Sequence, residues 1–332
     1  MSDYTGIAVY CEVNNGAVAA ISAEGLSIGR KLADELGQKL VALIPGSGIG
    51  EAAGEAISLG ADTACVIDDP LLATYETDAY IHAVQQAVNR LKPAILIMGQ
   101  TDTGRDLAPR LAFRLGATAT MDCVELAIDK ETGRLLATKP VYGGNALAVY
   151  SAESDPQIVT IRTKAMTAPE PDTSRQGETI TVPAALDGVA VRTRTIDHVV
   201  EESEGIKLED ANVVVAGGRG IGSAEGFQQL GELAKILTGA VGASRPPCDN
   251  GWAADTAQVG LTGKIIAPEL YIAVAISGSS QHMSGCSGAK NIIAINKDKE
   301  ANIFRHARYG AVGDWKKILP AFIEKVKELT QS

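Results

Sequence analysis

Aromatic side chains are scarce in this sequence, since Phe, Trp and Tyr together make up 4% of its 332 residues. Glycine is abundant by contrast, with 35 residues. Few aromatic residues and many glycines suit an α/β protein with tight strand-to-helix turns better than a β-sandwich. The length is about twice that of a typical domain, so we expect two domains.

Paired cysteine motifs are also missing. The sequence has neither a CxxC pair nor a metal-ligand spacing among its five dispersed cysteines, which are Cys11, Cys65, Cys123, Cys248 and Cys286. We therefore expect no structural zinc and no iron–sulfur cluster. An odd, dispersed set is typical of buried thiols in a reducing compartment.

Basic residues are fewer than acidic ones, so the formal net charge is −10. This charge argues against a general nucleic-acid binder, which needs a basic face. A polyanionic ligand would have to be held by local Arg, Lys and backbone N–H groups. The sequence starts without a leader-like pattern and no apolar run reaches the length of a membrane span, so we expect a cytoplasmic chain without membrane insertion.

Short apolar runs alternate with amphipathic stretches along the chain, which predicts two doubly wound α/β domains. We place the first domain at 1–200 and the second at 205–332. The polar, proline-containing stretch 167–205 is interpreted as a connector and hinge, with one or two short strands outside any packed layer. The runs between 118 and 163, including QIVTIRT, are interpreted as hairpin-like.

Two glycine-rich turns each follow a predicted strand and open a predicted helix. The first, PGSGIG at 45–50, departs from the GxGxxG pattern and lacks a clear ribose-binding acid after the next strand, so we favour an ordinary βα turn. The second, AGGRGIG at 216–222, adds the fixed positive charge of Arg219, which suits a phosphate contact. Its spacing also departs from the dinucleotide pattern, so this turn alone decides nothing.

Hydrogen-bonding residues follow several predicted strands of the second domain. Ligands of doubly wound sheets bind beyond the carboxyl ends of the strands, so we expect these residues to share one site. The loop after Ile276 offers consecutive backbone N–H groups for a pyrophosphate. Pro246 and Pro247 predict a stiff, extended loop. The residues concerned are Arg219, Ser244, Arg245, Gln258, Thr262, the loop 277–282, Asn296 and Asp314.

These residues lie in a run that resembles a known family. The segments PELYIAVAISG, QH, IIAINKD, EANIF and YGAVGD occur in the order and spacing of the FAD-binding domain of the electron transfer flavoprotein α-subunit. In the first half, GRDLAPRLA is similar to a segment of the same family, so the resemblance covers essentially the whole chain. It implies a flavodoxin-like or Rossmann-like FAD-binding domain at 205–332 and a subunit-interface scaffold at 1–200.

The resemblance also implies a set of FAD contacts. Arg219, Ser244 and the loop 277–282 would hold the AMP and pyrophosphate portion, and Asn296 and Asp314 would fix the adenosine and ribose. The full set is Arg219, Ser244, Arg245, Gln258, Val259, Gly260, Leu261, Thr262, Ser277, Gly278, Ser279, Ser280, Gln281, His282, Asn296 and Asp314.

Three of these residues are implied to tune the flavin. Arg245 would lie beside the isoalloxazine, Thr262 near its N5 atom, and His282 would donate a hydrogen bond to its O2 atom. Such contacts raise the potential for the first electron. The sequence departs from the family at Leu261, where a glutamine is usual, and at 279–280, where two serines replace Ala-Ile and add hydroxyls near the phosphate.

The function implied by the resemblance is electron transfer in a heterodimer. The chain would pair with a β-subunit and carry electrons to or from an acyl-CoA dehydrogenase or a quinone-linked partner, as in fatty-acid β-oxidation. The segment RPPCDNGW slightly favours the electron-bifurcating members of the family, which use NADH and hold a second flavin in the β-subunit. No general base, nucleophile or acid pair is evident, so we expect no reaction on a substrate of the chain's own. The alternative is a nicotinamide-dependent oxidoreductase that uses one of the glycine-rich turns.

Overall fold

A computed structural model describes residues 3–144, 146–197 and 206–330. The chain divides into two compact units. Unit 1 comprises Met1–Pro140 and Leu147–Val199, and unit 2 comprises Val141–Ala146 and Val200–Ser332. The predicted boundary between residues 200 and 205 lies outside the described residues.

Four α-helices and twelve strands precede the second unit's sheet among the residues that the structure describes. In chain order they are β1 (Ile7–Tyr10), β2 (Val13–Asn14), β3 (Ala17–Val18), α1 (Ala20–Leu36), β4 (Leu40–Gly46), α2 (Gly50–Ser58), β5 (Thr63–Asp68), α3 (Thr77–Leu91), β6 (Ile95–Gly99), α4 (Asp102–Leu115), β7 (Ala119–Cys123), β8 (Glu125–Ile128), β9 (Leu135–Val141), β10 (Ala146–Tyr150), β11 (Gln157–Ile161) and β12 (Glu178–Thr181).

Unit 1 is built on a seven-stranded parallel sheet in the order β12-β5-β4-β1-β6-β11-β7. Helices α1 and α2 pack on one face, and α3 and α4 pack on the other. Because both faces are covered, the inner strands appear in the sequence as unbroken apolar runs such as IAVY. The predicted α/β class with doubly wound parallel sheets is confirmed.

The stretch interpreted as a connector contributes to this sheet. Strand β12 pairs in parallel with β5, with Glu178 opposite Thr63. The residues that follow alternate between exposed and buried, and Val182, Ala184 and Leu186 join the apolar core beside α3 and α4. The prediction that this stretch lies outside any packed layer is therefore wrong for 178–186, because alternate apolar residues let a polar segment form an edge strand.

The hairpin prediction is correct for one part of the chain and wrong for another. Strands β8 and β9 pair antiparallel, and β10 completes a three-stranded sheet. Strand β11, the QIVTI of QIVTIRT, instead lies between β6 and β7 in the parallel sheet and is fully buried. A short apolar run does not reveal which strand it pairs with, so periodicity alone could not separate these cases.

Unit 2 is built on a five-stranded parallel sheet in the order β14-β13-β15-β16-β17. Its core lies in two layers, one on each face. Helices α5, α6 and α9 pack on one face, and α7 and α8 pack on the other. The elements are β13 (Val213–Gly217), α5 (Ala224–Ile236), β14 (Ala240–Ala243), α6 (Arg245–Asp249), β15 (Leu270–Val274), α7 (Ser280–Cys286), β16 (Asn291–Asn296), α8 (Ile303–His306), β17 (Tyr309–Val312) and α9 (Trp315–Thr330).

All five cysteines are buried and none forms a disulfide. Burial raises the pKa of every thiol above its usual value. The pKa rises to about 11 for Cys65 and to about 12 for Cys123 and Cys286. The cysteines are packing residues, as their dispersed positions predict.

Candidate cofactor-binding site

The carboxyl ends of β13 and β15 form the switch point of the unit 2 sheet. The two strands are adjacent and parallel, with Val213 opposite Leu270 and Gly217 opposite Val274. The chain leaves β13 towards α5 on one face and leaves β15 towards α7 on the other. The two loops therefore diverge and leave a crevice of the kind where doubly wound sheets bind ligands.

The loops after β13 and β15 approach each other closely at the base of this crevice. The backbone N–H of Gly218 donates to the carbonyl O of Val274 at 2.9 Å. A Cβ atom at Gly218 would lie 2.1 Å from the carbonyl O of Ala275, so a larger residue does not fit. Ala275 has a φ of 55°, which is uncommon for a residue other than glycine. Backbone contact thus explains the second glycine-rich turn.

The 258–264 segment borders the same edge of the sheet. Its Val259 N–H donates to the carbonyl O of Ala243, the last residue of β14, at 2.8 Å. Its Leu261 N–H donates to the carbonyl O of Gln281 in α7 at 2.7 Å. These two hydrogen bonds tie the segment to both β14 and α7.

Two glycines allow this segment to lie directly on α7. A Cβ atom at Gly285 would lie 2.3 Å from the backbone N of Gly260. Gly260 itself has a φ of 148°. The contact leaves Leu261 and Thr262 exposed beside the first turn of α7.

More than half of the predicted site residues are exposed, and they lie on the loops and first helical turns at the carboxyl edge of the unit 2 sheet. Another group is half-buried, and four residues are buried. The exposed residues are Arg219, Arg245, Leu261, Thr262, Ser277, Ser279, Ser280, Gln281 and Asp314; the half-buried ones are Ser244, Gln258 and Asn296; the buried ones are Val259, Gly260, Gly278 and His282.

Arg245 and Thr262, which are expected beside the flavin ring, each have a side-chain partner nearby in unit 2. The guanidinium Nε of Arg245 lies 3.3 Å from Oδ2 of Asp249, one turn along α6. Both side chains are exposed, so this ion pair is weak and does not fix Arg245. Gln258 Nε2 donates to the hydroxyl of Thr262 at 3.0 Å across the 258–264 segment.

The two predicted adenosine-binding side chains stabilise turns. The Asn296 amide donates to the carbonyl O of Ile276 at 2.8 Å and accepts from the backbone N of Asp298 at 3.0 Å. The Asp314 carboxylate accepts from the backbone N of Lys316 at the start of α9 at 3.0 Å. Asn296 thereby connects the loops after β15 and β16.

His282 lies inside unit 2 with 5% of its surface exposed. Its Nδ1 lies 3.1 Å from the carbonyl O of Val259, and its Nε2 lies 2.8 Å from the hydroxyl of Tyr271. Burial lowers the pKa of His282 from 6.5 to about 4, so the ring is neutral at pH 7. The predicted hydrogen bond from His282 to a flavin stays a prediction, and it requires the ring to exchange one of these partners.

The loop after Ser244 is not extended, contrary to the prediction from its two prolines. Pro246 and Pro247 instead lie in the first turn of the short helix α6. Backbone N–H groups in a first helical turn have no partner within the helix, so proline loses nothing there. The turn begins directly after Ser244, whose N–H donates to the carbonyl O of Gly217 at 3.0 Å.

Sequence reasoning missed Tyr271, which contributes to this edge from inside the sheet. It is fully buried and is the second residue of β15. The signal was available, because a tyrosine within an otherwise apolar buried strand needs a hydrogen-bond partner for its hydroxyl.

Unit 1 contains a cavity of about 380 Å³ at the carboxyl edge of its own sheet. The first glycine-rich turn lines it, together with Tyr10, Glu12 and Tyr75, and its lining among the described residues contains no Lys, Arg or His. The N–H of Gly48 already donates to the Asp68 carboxylate at 2.8 Å. This acidic surrounding does not suit a dinucleotide phosphate, and it agrees with an ordinary βα turn.

Neither a membrane-spanning helix nor a metal-binding cluster occurs in the described part of the chain. No helix there is both long and apolar enough to cross a membrane. No cluster of three or more His, Cys, Asp or Glu side chains there could hold a metal ion.

Sequence models of protein families match both units of the chain. A sequence model described as the electron transfer flavoprotein domain matches residues 7–187. A second, described as the electron transfer flavoprotein FAD-binding domain, matches residues 207–287. The second match includes the switch point and the 258–264 segment.

Similar curated proteins extend the match to full length. The electron transfer flavoprotein subunit alpha of Thermoanaerobacterium thermosaccharolyticum is 42% identical over 99% of this chain and 100% of its own. Protein FixB of Clostridium saccharobutylicum is 41% identical over 99% and 98%. Protein FixB of Azorhizobium caulinodans is 42% identical over 97% and 88%. With both units matched by family models and relatives aligned end to end, this chain belongs to the electron transfer flavoprotein α-subunit family.

Proposed function

We propose that this chain is the α-subunit of a heterodimeric electron transfer flavoprotein and that unit 2 binds FAD at the switch point between β13 and β15. The observation that carries the proposal is the gathering of exposed polar side chains on the loops of this one edge, in the unit that the FAD-binding-domain model matches. When bound, FAD supplies one- and two-electron redox chemistry that no side chain of the protein provides.

The residues nearest the base of the crevice suit the pyrophosphate. Arg219 is exposed on the loop after β13, where the backbone of Gly218 is packed against the next loop. Ser277, Ser279 and Ser280 are exposed on the loop after β15. A permanent positive charge opposite several hydroxyls is a suitable environment for a doubly charged phosphate group.

The residues between β14 and β15 suit the isoalloxazine. Among the described residues, Asp249 is the partner of the Arg245 side chain, and because this ion pair is exposed and weak, Arg245 can turn towards a ligand. Thr262 presents a hydroxyl that Gln258 orients. A cation and an oriented hydroxyl next to the ring favour extra electron density on it.

Removal of the Arg219 charge is expected to loosen the cofactor. Arg219→Ala should weaken FAD retention by about 1–3 kcal/mol, the usual cost of losing a charge-assisted hydrogen bond. Retained flavin after dilution and gel filtration measures the change. Arg308→Ala is the matched control, because Arg308 is exposed in the same unit but precedes β17, at the amino edge of the sheet. Equal flavin loss in the two variants would count against a phosphate contact at Arg219.

The β-subunit is proposed to cover the edge strand β10. Leu147 and Val149 are exposed by 64% and 61%, two residues apart and therefore on one face of the strand. Exposed apolar residues on an edge strand, which pairs on one side only, favour association with another chain.

Negative charge introduced on β10 is therefore expected to weaken association with the β-subunit. Leu147→Asp with Val149→Asp should weaken association with the β-subunit at least about tenfold, since each places a carboxylate in an apolar contact. The measurement is the dissociation constant from sedimentation or surface binding. Ile196→Asp, at an equally apolar residue that is 95% exposed, is the control and should leave binding unchanged. Unchanged binding of the double variant would place the β-subunit elsewhere.

The flavin content of the purified heterodimer tests the proposal as a whole. We expect a yellow protein that holds FAD in unit 2, and a colourless protein that cannot be reconstituted with FAD would overturn the proposal. The count also separates two arrangements: one flavin per heterodimer fits an electron carrier for an acyl-CoA dehydrogenase-type partner. Two flavins fit electron bifurcation from NADH.

A further inference from the structure

A tyrosine hydroxyl in the unit 1 cavity has no hydrogen-bond partner among the described residues. Tyr10, the last residue of β1, lines this cavity and is 2% exposed. Arg30 Nε is the only fully enclosed side-chain nitrogen or oxygen in the described part of the chain that lacks a hydrogen bond, so the Tyr10 hydroxyl is open to the cavity. A buried hydroxyl without a partner costs stability, which points to a ligand that supplies the partner.

A carboxylate without a counter-ion lines the same cavity. Oε1 of Glu12 accepts from the Thr101 hydroxyl at 2.5 Å, and no described residue donates to Oε2. Burial raises the pKa of Glu12, the Thr101 hydrogen bond lowers it, and the Asp102 charge raises it. None of these influences is a cation, although a carboxylate taken out of water is usually paired with one. Burial and then the Glu12 charge raise the pKa of Tyr10, so the two groups are close to each other.

Two further tyrosines line the cavity with their rings. The rings of Tyr75 and Tyr80 lie with their centroids 4.9 Å apart, at 56° to each other. Their hydroxyls already have acceptors, since Tyr75 donates to the Asp106 carboxylate at 2.8 Å and Tyr80 donates to the carbonyl O of Leu72 at 2.7 Å. Both therefore offer aromatic surface to a ligand. Aromatic rings together with a carboxylate are the usual surroundings of an organic cation.

The charges at this edge of the sheet also favour a cation. Helices α2 and α4 begin here, and each N-terminus carries about half a positive charge. Three carboxylates outweigh them: Glu12 lines the cavity, Asp68 accepts from the N–H of Gly48 in the lining, and Asp102 acts on Glu12. An anion would find a net negative site whose Gly48 N–H is already occupied.

We propose that the unit 1 cavity binds a protonated primary amine with an apolar or aromatic body, whose ammonium group contacts Oε2 of Glu12 and the Tyr10 hydroxyl. An ammonium group has three N–H donors and no acceptor, which matches two open acceptors. The volume of about 380 Å³ lies in the range of small-molecule sites. The site belongs to unit 1 and involves no flavin, so it is independent of the proposed function.

Three molecules of nearly the same shape test the charge of the ligand. They are 2-phenylethylammonium, 2-phenylethanol and 3-phenylpropanoate, titrated calorimetrically into the full chain in phosphate buffer at pH 7.5, where an alkyl amine is protonated like lysine. We expect the amine to bind at least about tenfold more tightly than the alcohol, and the carboxylate to bind more weakly than both. Equal affinity for the amine and the alcohol overturns the proposal, as does no binding of the amine up to about 10 mM.

Glu12→Gln tests the carboxylate. The amide oxygen of glutamine can still accept from Thr101, so the variant removes the charge and keeps the internal hydrogen bond. We expect its affinity for the amine to fall at least about tenfold, to that for the alcohol. Glu131→Gln removes the same charge from an exposed turn of unit 1 outside the lining and is the matched control. Wild-type affinity for the amine in Glu12→Gln overturns the proposal.

Tyr10→Phe separates a ligand contact from a structural role. Its hydroxyl has no partner among the described residues, so we expect the amide of Ile97, in the centre of the unit 1 sheet, to keep its protection against hydrogen exchange. The affinity for the amine should fall about three- to tenfold. Tyr80→Phe is the contrasting variant, because it loses the bond to Leu72 and should lower that protection. Wild-type amine affinity in Tyr10→Phe, or reduced protection of Ile97 in that variant, overturns the proposal.

Discussion

Gly285→Ala is expected to destabilise unit 2 by about 2–4 kcal/mol and to reduce flavin retention more than tenfold. The added methyl carbon would lie 2.3 Å from the N and 2.5 Å from the Cα of Gly260, and 2.9 Å from the carbonyl O of Lys264. All three atoms belong to the backbone, so no side-chain rotation relieves the overlap. The 258–264 segment must move away from α7, which strains the hydrogen bond from Leu261 to Gln281.

Denaturant unfolding followed by tryptophan fluorescence measures this loss. Both tryptophans, Trp252 and Trp315, lie in unit 2, so the signal reports that unit. The matched control is Gly231→Ala in α5, where no atom lies within 4 Å of the added carbon. A helix gains about 0.5–1 kcal/mol from this change, so the two variants should differ in sign. Similar stabilities for both would show that α7 and the 258–264 segment are not in close contact.

Lowering the pH from 7 to 4 is expected to reduce the free energy of unfolding of unit 2 by about 3 kcal/mol through His282 alone. Burial lowers the pKa of His282 from 6.5 to about 4. The unfolded chain therefore takes up the proton first as the pH falls, while the folded ring stays neutral. The contribution to stability is fully present above about pH 6.5 and is lost as the pH falls towards about 4.

His282→Gln isolates this effect, because glutamine is neutral at every pH and can still donate to Val259 and accept from Tyr271. The free energy of unfolding, measured from pH 7 to pH 4, should fall by about 3 kcal/mol more in the wild type than in the variant. Taking the difference removes the titration of all other groups. His306→Gln, at an exposed histidine of unit 2, is the matched control for the substitution itself. Parallel curves for the wild type and His282→Gln would show that the ring titrates normally.

The architecture of both sheets could be predicted from the sequence because burial on both faces leaves unbroken apolar runs. The runs VVVAG and LYIAV are adjacent strands, and the polar loops after them meet at one edge as expected. The pairing partners of individual strands were harder to predict from the sequence. Nothing within QIVTI distinguishes a hairpin strand from β11, whose neighbours β6 and β7 are distant in sequence. Contacts between distant segments decide such cases.

Side-chain direction within the candidate site was the least predictable feature. A histidine after a polar loop suggests a ligand contact, which stays a prediction; the sequence could not show that the His282 ring, in the first turn of α7, has the Tyr271 hydroxyl and the Val259 carbonyl as partners. In the same way, two prolines suggest an extended loop, whereas a helix start satisfies the same restriction on φ. Local rules limit the backbone but leave the choice between allowed conformations to tertiary packing.

The burial of the five thiols has a practical consequence. The thiolate is the nucleophile that attacks alkylating reagents, and the raised pKa values leave almost none of it at neutral pH. Alkylation therefore has to await an opening of the structure. Cys11, Cys65 and Cys123 lie in unit 1, whereas Cys248 and Cys286 lie in unit 2. Mass spectrometry of the alkylated peptides can thus follow the opening of each unit separately over time. The native cysteines serve as the probes, so no substitution is needed.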